Sequence, residues 1–350
     1  MCLNGSCNFR KSNAVIANLQ NIRRWSPLNK TNPNACSGIE CYDSDLTRLA
    51  FTVTLVISIL GSIGNCVSLV VILNSRLRKI TNNILIAQLN LVNFMYCALV
   101  LPLQATEFHV RGNFLGSSLC QYMAGFKIWL AGSDFFFISA IATYRLLQVV
   151  YNEIFQTLSE KFWFVLSCVT CYVFPAAYVS VPILGIFGTY GYDERMAQCT
   201  LSYSGPVYPR ILFFMFGALL PTTIVVGCYF RIAIYVRQQA TALEGENKQR
   251  KQRMQRATRR FYILICTPVF TYLLGVTPLT LLFIFDPELK RALAHLWSYF
   301  MLWTTYMLNP VVYSLMDLKF QRASIRLFAR AGNFKKESIA VRKTHMFPGF

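Results

Sequence analysis

Seven stretches of the chain are apolar for long enough to cross a lipid bilayer, at roughly 49–73, 83–105, 120–147, 162–185, 207–236, 261–285 and 293–316. A membrane-spanning helix needs about 20 such residues at 1.5 Å each. The pattern predicts an all-α membrane protein, a seven-transmembrane helix bundle over 49–316 between an N-terminal tail, 1–48, and a C-terminal tail, 331–350. Between bundle and tail, residues 317–330 set Leu318, Phe320, Leu327 and Phe328 among basic residues. That spacing predicts a short amphipathic eighth helix lying on the membrane surface among its lipids. It contains no cysteine, so no palmitate anchor is expected there.

Charge then orients the bundle. Lys and Arg number 19 in one set of connections and the C-terminal tail, against 4 in the opposite set. Basic residues stay on the cytosolic side, which places the N-terminus outside and the C-terminus inside a plasma-membrane, multi-pass protein. The net charge of +19 is thereby accounted for by orientation and an anionic leaflet, and no nucleic acid is implied. No apolar run stands at the extreme N-terminus, so no cleavable signal peptide is expected.

The outer side is an oxidising compartment, and six cysteines fall on it: Cys2, Cys7, Cys36, Cys41, Cys120 and Cys199. An even number permits full pairing. Cys120 is expected to bond Cys199, stapling the top of the third helix to the loop after the fourth; pairing within the tail stays open. Asn4 and Asn29 open glycosylation sequons in that tail.

Polar residues inside the spans carry the functional signal, because a charge at membrane depth costs at least ~2.5–3.5 kcal/mol. The third span holds Asp134 and Arg145 with no local partner. The seventh ends Asn309-Pro310-Val311-Val312-Tyr313, where the proline frees a carbonyl and bends the helix. The first contains Gly64-Asn65, the fourth Trp163, the fifth Pro221 with Tyr229 eight residues on, and the sixth Pro278. Arg145 follows Cys120 by 25 residues.

Taken together, residues 49–330 resemble the rhodopsin-like (class A) G-protein-coupled receptors, as a divergent member. The resemblance implies a ligand bound among the outer helix ends and a heterotrimeric G protein entering at the inner ends. It implies that Arg145 meets the G protein or inner helix residues, that Tyr229 and Tyr313 approach it in the active state, and that Pro221, Pro278 and Pro310 let their helices rearrange. Arrestin is a further partner the family uses, although Ser338 and Thr344 make a sparse phosphorylation tail.

The departures from the family pattern matter as much. Tyr144 stands where an acid usually precedes the arginine, and Ala257-Thr258-Arg259-Arg260 offers no second acid. A loosened Arg145 and raised basal signalling are expected; lost coupling, in a non-signalling or decoy receptor, is the alternative. The family's second-helix acid is Asn93 here, and Asp134 takes the position that faces it, so the pair is exchanged. Asp134, Asn93, Asn65 and Asn309 could offer oxygens to a structural sodium ion, or Asp134 is simply protonated or bonded to the asparagines.

Lys127, two helical turns outward of Asp134, stands where aminergic members keep an aspartate. Amines are thus disfavoured, and an anionic small molecule or a peptide acid is expected; pairing with Glu107 or snorkelling is the alternative. The sixth helix reads Tyr272-Leu273-Leu274-Gly275-Val276-Thr277-Pro278 and lacks the family's indole, leaving Trp129, Tyr272, Trp303 and Tyr306 as candidates below the ligand. Trp303 also replaces the lysine that retinal would need. An enzyme is not expected: the three histidines, His109, His295 and His345, form no metal-ligand spacing. A transporter or channel could use Asp134, Lys127 and Glu107 as a polar path, but the chain has no internal repeat.

Overall fold

The computed structural model describes residues 44–186, 188–201, 214–241, 269–286, 290–316 and 319–329. Among these, seven long helices follow in order: α1 (Ser44–Leu73), α2 (Thr81–Val110), α3 (Gly116–Val149), α4 (Glu160–Ile183), α5 (Met215–Gln239), α6 (Val269–Phe285) and α7 (Ala292–Met316). The first five are each long and apolar enough to span a membrane. Residues 319–329 form the short eighth helix, α8, which buries Phe320 and packs Ala323 and Leu327 on the bundle while Ile325 and Phe328 remain exposed.

Polarity runs opposite to that of a water-soluble bundle. Asn65, Asn90 and Asn93 are wholly buried, whereas Leu60 and Ile63 of α1 and Val165 and Val169 of α4 face outward. Lipid tails take the apolar faces, and the interior takes the groups that need partners. Asn90 accordingly donates to Ser68 across α1 and α2 at 2.7 Å, and Tyr172 of α4 to Gln88 of α2 at 2.8 Å.

α1 begins at Ser44, before the apolar run starts at residue 49, with Asp45 in its first turn. A carboxylate there meets the unpaired N–H groups and the positive end of the helix dipole, so the helix extends past the hydrocarbon. Two helices widen locally, α2 over Tyr96–Val100 and α5 over Met215–Leu219. Each widened turn ends two residues before a proline, Pro102 or Pro221, whose ring crowds the carbonyl four residues back, inside the turn.

Between α4 and α5 a hairpin folds onto α3, with β1 (Tyr190–Asp193) antiparallel to β2 (Gln198–Leu201) and Tyr192 opposite Cys199. The Asp193 carboxylate closes its turn by accepting the backbone N–H groups of Arg195 and Met196 at 2.9 and 3.1 Å. The Cys120–Cys199 disulfide pins β2 to the outer end of α3.

The glycosylation sequons at Asn4 and Asn29, the four tail cysteines, the basic stretch 238–260 beyond Thr241, the Tyr313 side chain, and Ser338 and Thr344 lie outside the described residues.

Candidate functional site

Beneath the hairpin lies a cavity of about 160 Å³ bounded by α2 to α7 and β2. Its walls include Tyr96, Lys127, Phe135, Tyr178, Val276 and Tyr299. Lys127 is buried and donates its ammonium to Gln198 Oε1 of β2 at 3.0 Å. It also lines a second, smaller space of about 20 Å³ shared with Gln104, Glu107 and Cys199. Glu107 attracts Lys127 electrostatically and places Oε1 3.1 Å from the Cys199 sulfur. Because that sulfur is in the disulfide it has no proton to give, and the approach is a packing contact.

The other two candidate ligand residues sit lower. Trp303 and Tyr306 are buried below the cavity and connect to it through Tyr96: Trp303 donates its indole N–H to the Tyr96 hydroxyl at 3.2 Å, and the Tyr306 ring lies 4.7 Å from the Tyr96 ring. Tyr272 stacks edge-on against Phe135 at 5.9 Å and shares a 2.8 Å hydrogen bond with Thr222 of α5. Trp129 lies apart, donating to the Tyr172 carbonyl of α4 at 3.0 Å.

Asn65, Asn93, Asp134 and Asn309, on α1, α2, α3 and α7, are all buried, and Asn93 lies beside Asp134. Asn65 is partly satisfied, its Nδ2 donating to the carbonyls of Gly61 and Tyr306 at 2.8 and 3.0 Å. Asn93 interacts with the Asp134 carboxyl without reaching hydrogen-bond geometry, so both carboxyl oxygens, both Asn93 amide atoms and Asn65 Oδ1 make no hydrogen bond. Unsatisfied buried oxygens are costly, and several together form the donor set a hard cation takes.

At the inner end Arg145 donates from Nη1 to the Tyr229 hydroxyl of α5 at 3.3 Å. Tyr144 turns elsewhere: it is buried and edge-on to Phe155 at 5.1 Å, near Thr81, which donates to Glu160 at 3.1 Å. Pro221 is buried, and its carbonyl accepts from Ser139 of α3 at 3.0 Å. Pro310 packs against Gly64, and Pro278 is half-buried in α6.

Sequence reasoning did not reach Gln198, Tyr96, Tyr178, Thr81 or Glu160. Gln198 had a signal, since it immediately precedes the cysteine that pins β2 to α3. The others become neighbours only through packing.

The family model described as 7 transmembrane receptor (rhodopsin family) matches residues 64–313. The chain is 19% identical to the G-protein coupled receptor moody of Drosophila melanogaster over 81% of its own length and 51% of that protein's. It is 26% identical to galanin receptor 2b of Danio rerio over 84% and 79% of the two lengths. The chain therefore spans about half the length of the moody receptors it matches. Squid rhodopsin superposes with a TM-score of 0.70 at 17% identity, covering 88% of this chain and 92% of that one.

Proposed function

The chain belongs to the rhodopsin family of seven-transmembrane receptors, and on that premise we propose that it passes an extracellular signal to a heterotrimeric G protein at the cytosolic face of the plasma membrane. The N-terminus lies outside and the C-terminus inside, as the basic connections require. One observation carries this reading: α3 alone holds Lys127 in the outer cavity, Asp134 in the buried polar cluster and Arg145 at the inner end, where it bonds Tyr229 of α5. A single rigid helix thereby touches ligand space, a charge cluster and the transducing end.

The ligand is a peptide acid or an anionic small molecule, because Lys127 repels an ammonium and carries donors only. The oxygens at Asp134 fit a hydrated sodium ion, which would supply the missing positive charge and hold the resting arrangement. Tyr144 packs on Phe155 and offers Arg145 no carboxylate, which supports raised basal signalling. α8 rests on lipid, and arrestin is a further partner at the inner face.

The same diversion of Tyr144 favours a second reading, a decoy receptor that binds ligand without coupling. Ligand-free G-protein activation, measured across the main G-protein classes at matched surface expression, separates the two. A basal signal abolished by Arg145→Ala supports transduction; ligand uptake without any signal supports the decoy.

A further inference from the structure

The volume of the outer cavity restricts what can enter it. At about 160 Å³ it is close to the ~150 Å³ apolar cavity that holds one benzene, and below the ~300 Å³ at which pockets for drug-sized ligands begin. One or two fused rings fill it.

Its walls favour a flat occupant. Six of the lining residues are Tyr or Phe, drawn from α2, α3, α4, the start of α5, α6 and α7, and aromatic faces pair best with another ring in offset or edge-on geometry. Tyr178 sets the width. It reaches from α4 to α3 and α5, and a Cβ on Gly132 would overlap its hydroxyl while one on Gly217 would lie 3.2 Å from it. Both glycines therefore make room for this phenol, and the phenol closes the cavity on that side.

The polar end accepts one chemistry. Gln198 Oε1 occupies one of the three Lys127 N–H groups and leaves the other two for a further acceptor. Unfilled donors beside a positive charge call for an anionic acceptor. We infer that the cavity takes a small planar aromatic acid, one or two fused rings held between Phe135, Tyr178 and Val276 with its carboxylate on Lys127. This names the ligand class of the receptor reading above and rests on it. Glu107, attracting Lys127 from the neighbouring space, competes with that carboxylate.

The test uses the full chain in lipid nanodiscs, titrated with benzoate, 2-naphthoate, 2-naphthamide and 1-pyrenecarboxylate. We expect 2-naphthoate to bind at least ten times tighter than the isosteric amide, Lys127→Met to erase that difference, and Glu107→Gln to enlarge it. 1-Pyrenecarboxylate should bind only after Tyr178→Ala. Equal binding of acid and amide, pyrenecarboxylate binding to the native chain as well as naphthoate, or weakening by Glu107→Gln would each overturn the assignment. Should no probe bind while the ligand-free chain activates a G protein, the ligand class fails and the receptor reading stands. Naphthoate binding at a chain that never signals retains the class and overturns transduction instead.

Discussion

Arg145 and Tyr229, 84 residues apart, meet through a 3.3 Å hydrogen bond that ties the inner end of α3 to α5. The residue beside Arg145 does not share in it, since Tyr144 is packed edge-on against Phe155. An arginine held by a tyrosine of another helix is set by how those helices stand.

Removing the phenol oxygen should therefore disfavour this arrangement. A hydrogen bond to a charged group contributes about 1.5–3 kcal/mol, so Tyr229→Phe is expected to lower ligand-free G-protein activation about tenfold or more at matched surface expression. An unchanged basal signal would mean that the Tyr229 contact is incidental to coupling.

The polar cluster predicts ion sensitivity. Asp134 and Asn93 keep buried atoms without hydrogen bonds, so sodium should raise the thermal unfolding midpoint of the purified chain relative to potassium at equal ionic strength. Asp134→Asn should abolish the difference. If sodium and potassium act alike on the native chain, the cluster holds no cation.

Close approach of α6 and α7 depends on Gly275. A Cβ there would overlap Thr305 Cγ2 and stand 3.0 Å from the Met301 carbonyl, and such overpacking typically costs about 1–3 kcal/mol. Gly275→Ala should lower the unfolding midpoint, and Thr305→Ser, which removes the offending methyl, should restore part of it. Additive effects in the double variant would show that the two sites do not share that space.

The hairpin is held by the Cys120–Cys199 disulfide and by Gln198 on Lys127. Losing a native disulfide costs about 2–5 kcal/mol, so Cys120→Ala is expected to reduce folded receptor at the cell surface severely. Gln198→Ala should leave surface level largely intact while altering ligand response, a split that flow cytometry and signalling assays resolve.

Different physical rules governed what the sequence disclosed. The helices were legible because lipid demands long apolar runs, and α2, α3 and α7 extend only a few residues past the expected limits. The disulfide was legible because a bond between these two cysteines on the oxidising side staples the third helix to the loop after the fourth. The grouping of Asn65, Asn93, Asp134 and Asn309 came from the resemblance to the receptor family, and all four are buried. By contrast, Gln198 meets Lys127 across 71 residues through the register of a hairpin. Tyr144 packs on Phe155 beside Thr81 and Glu160, neighbours that only the folded chain brings to it. The widened turn at Tyr96–Val100 and the fit of Tyr178 between Gly132 and Gly217 are products of packing, which no local pattern encodes.

The central claim is that Arg145 transmits a signal from a bundle whose resting state is loosely held. Its most direct test is G-protein activation in cells without added ligand, comparing the native chain with Arg145→Ala at equal surface expression. The account predicts a basal signal in the native chain that the alanine removes. Silence in the native chain across all G-protein classes, or a basal signal that survives Arg145→Ala, would contradict it.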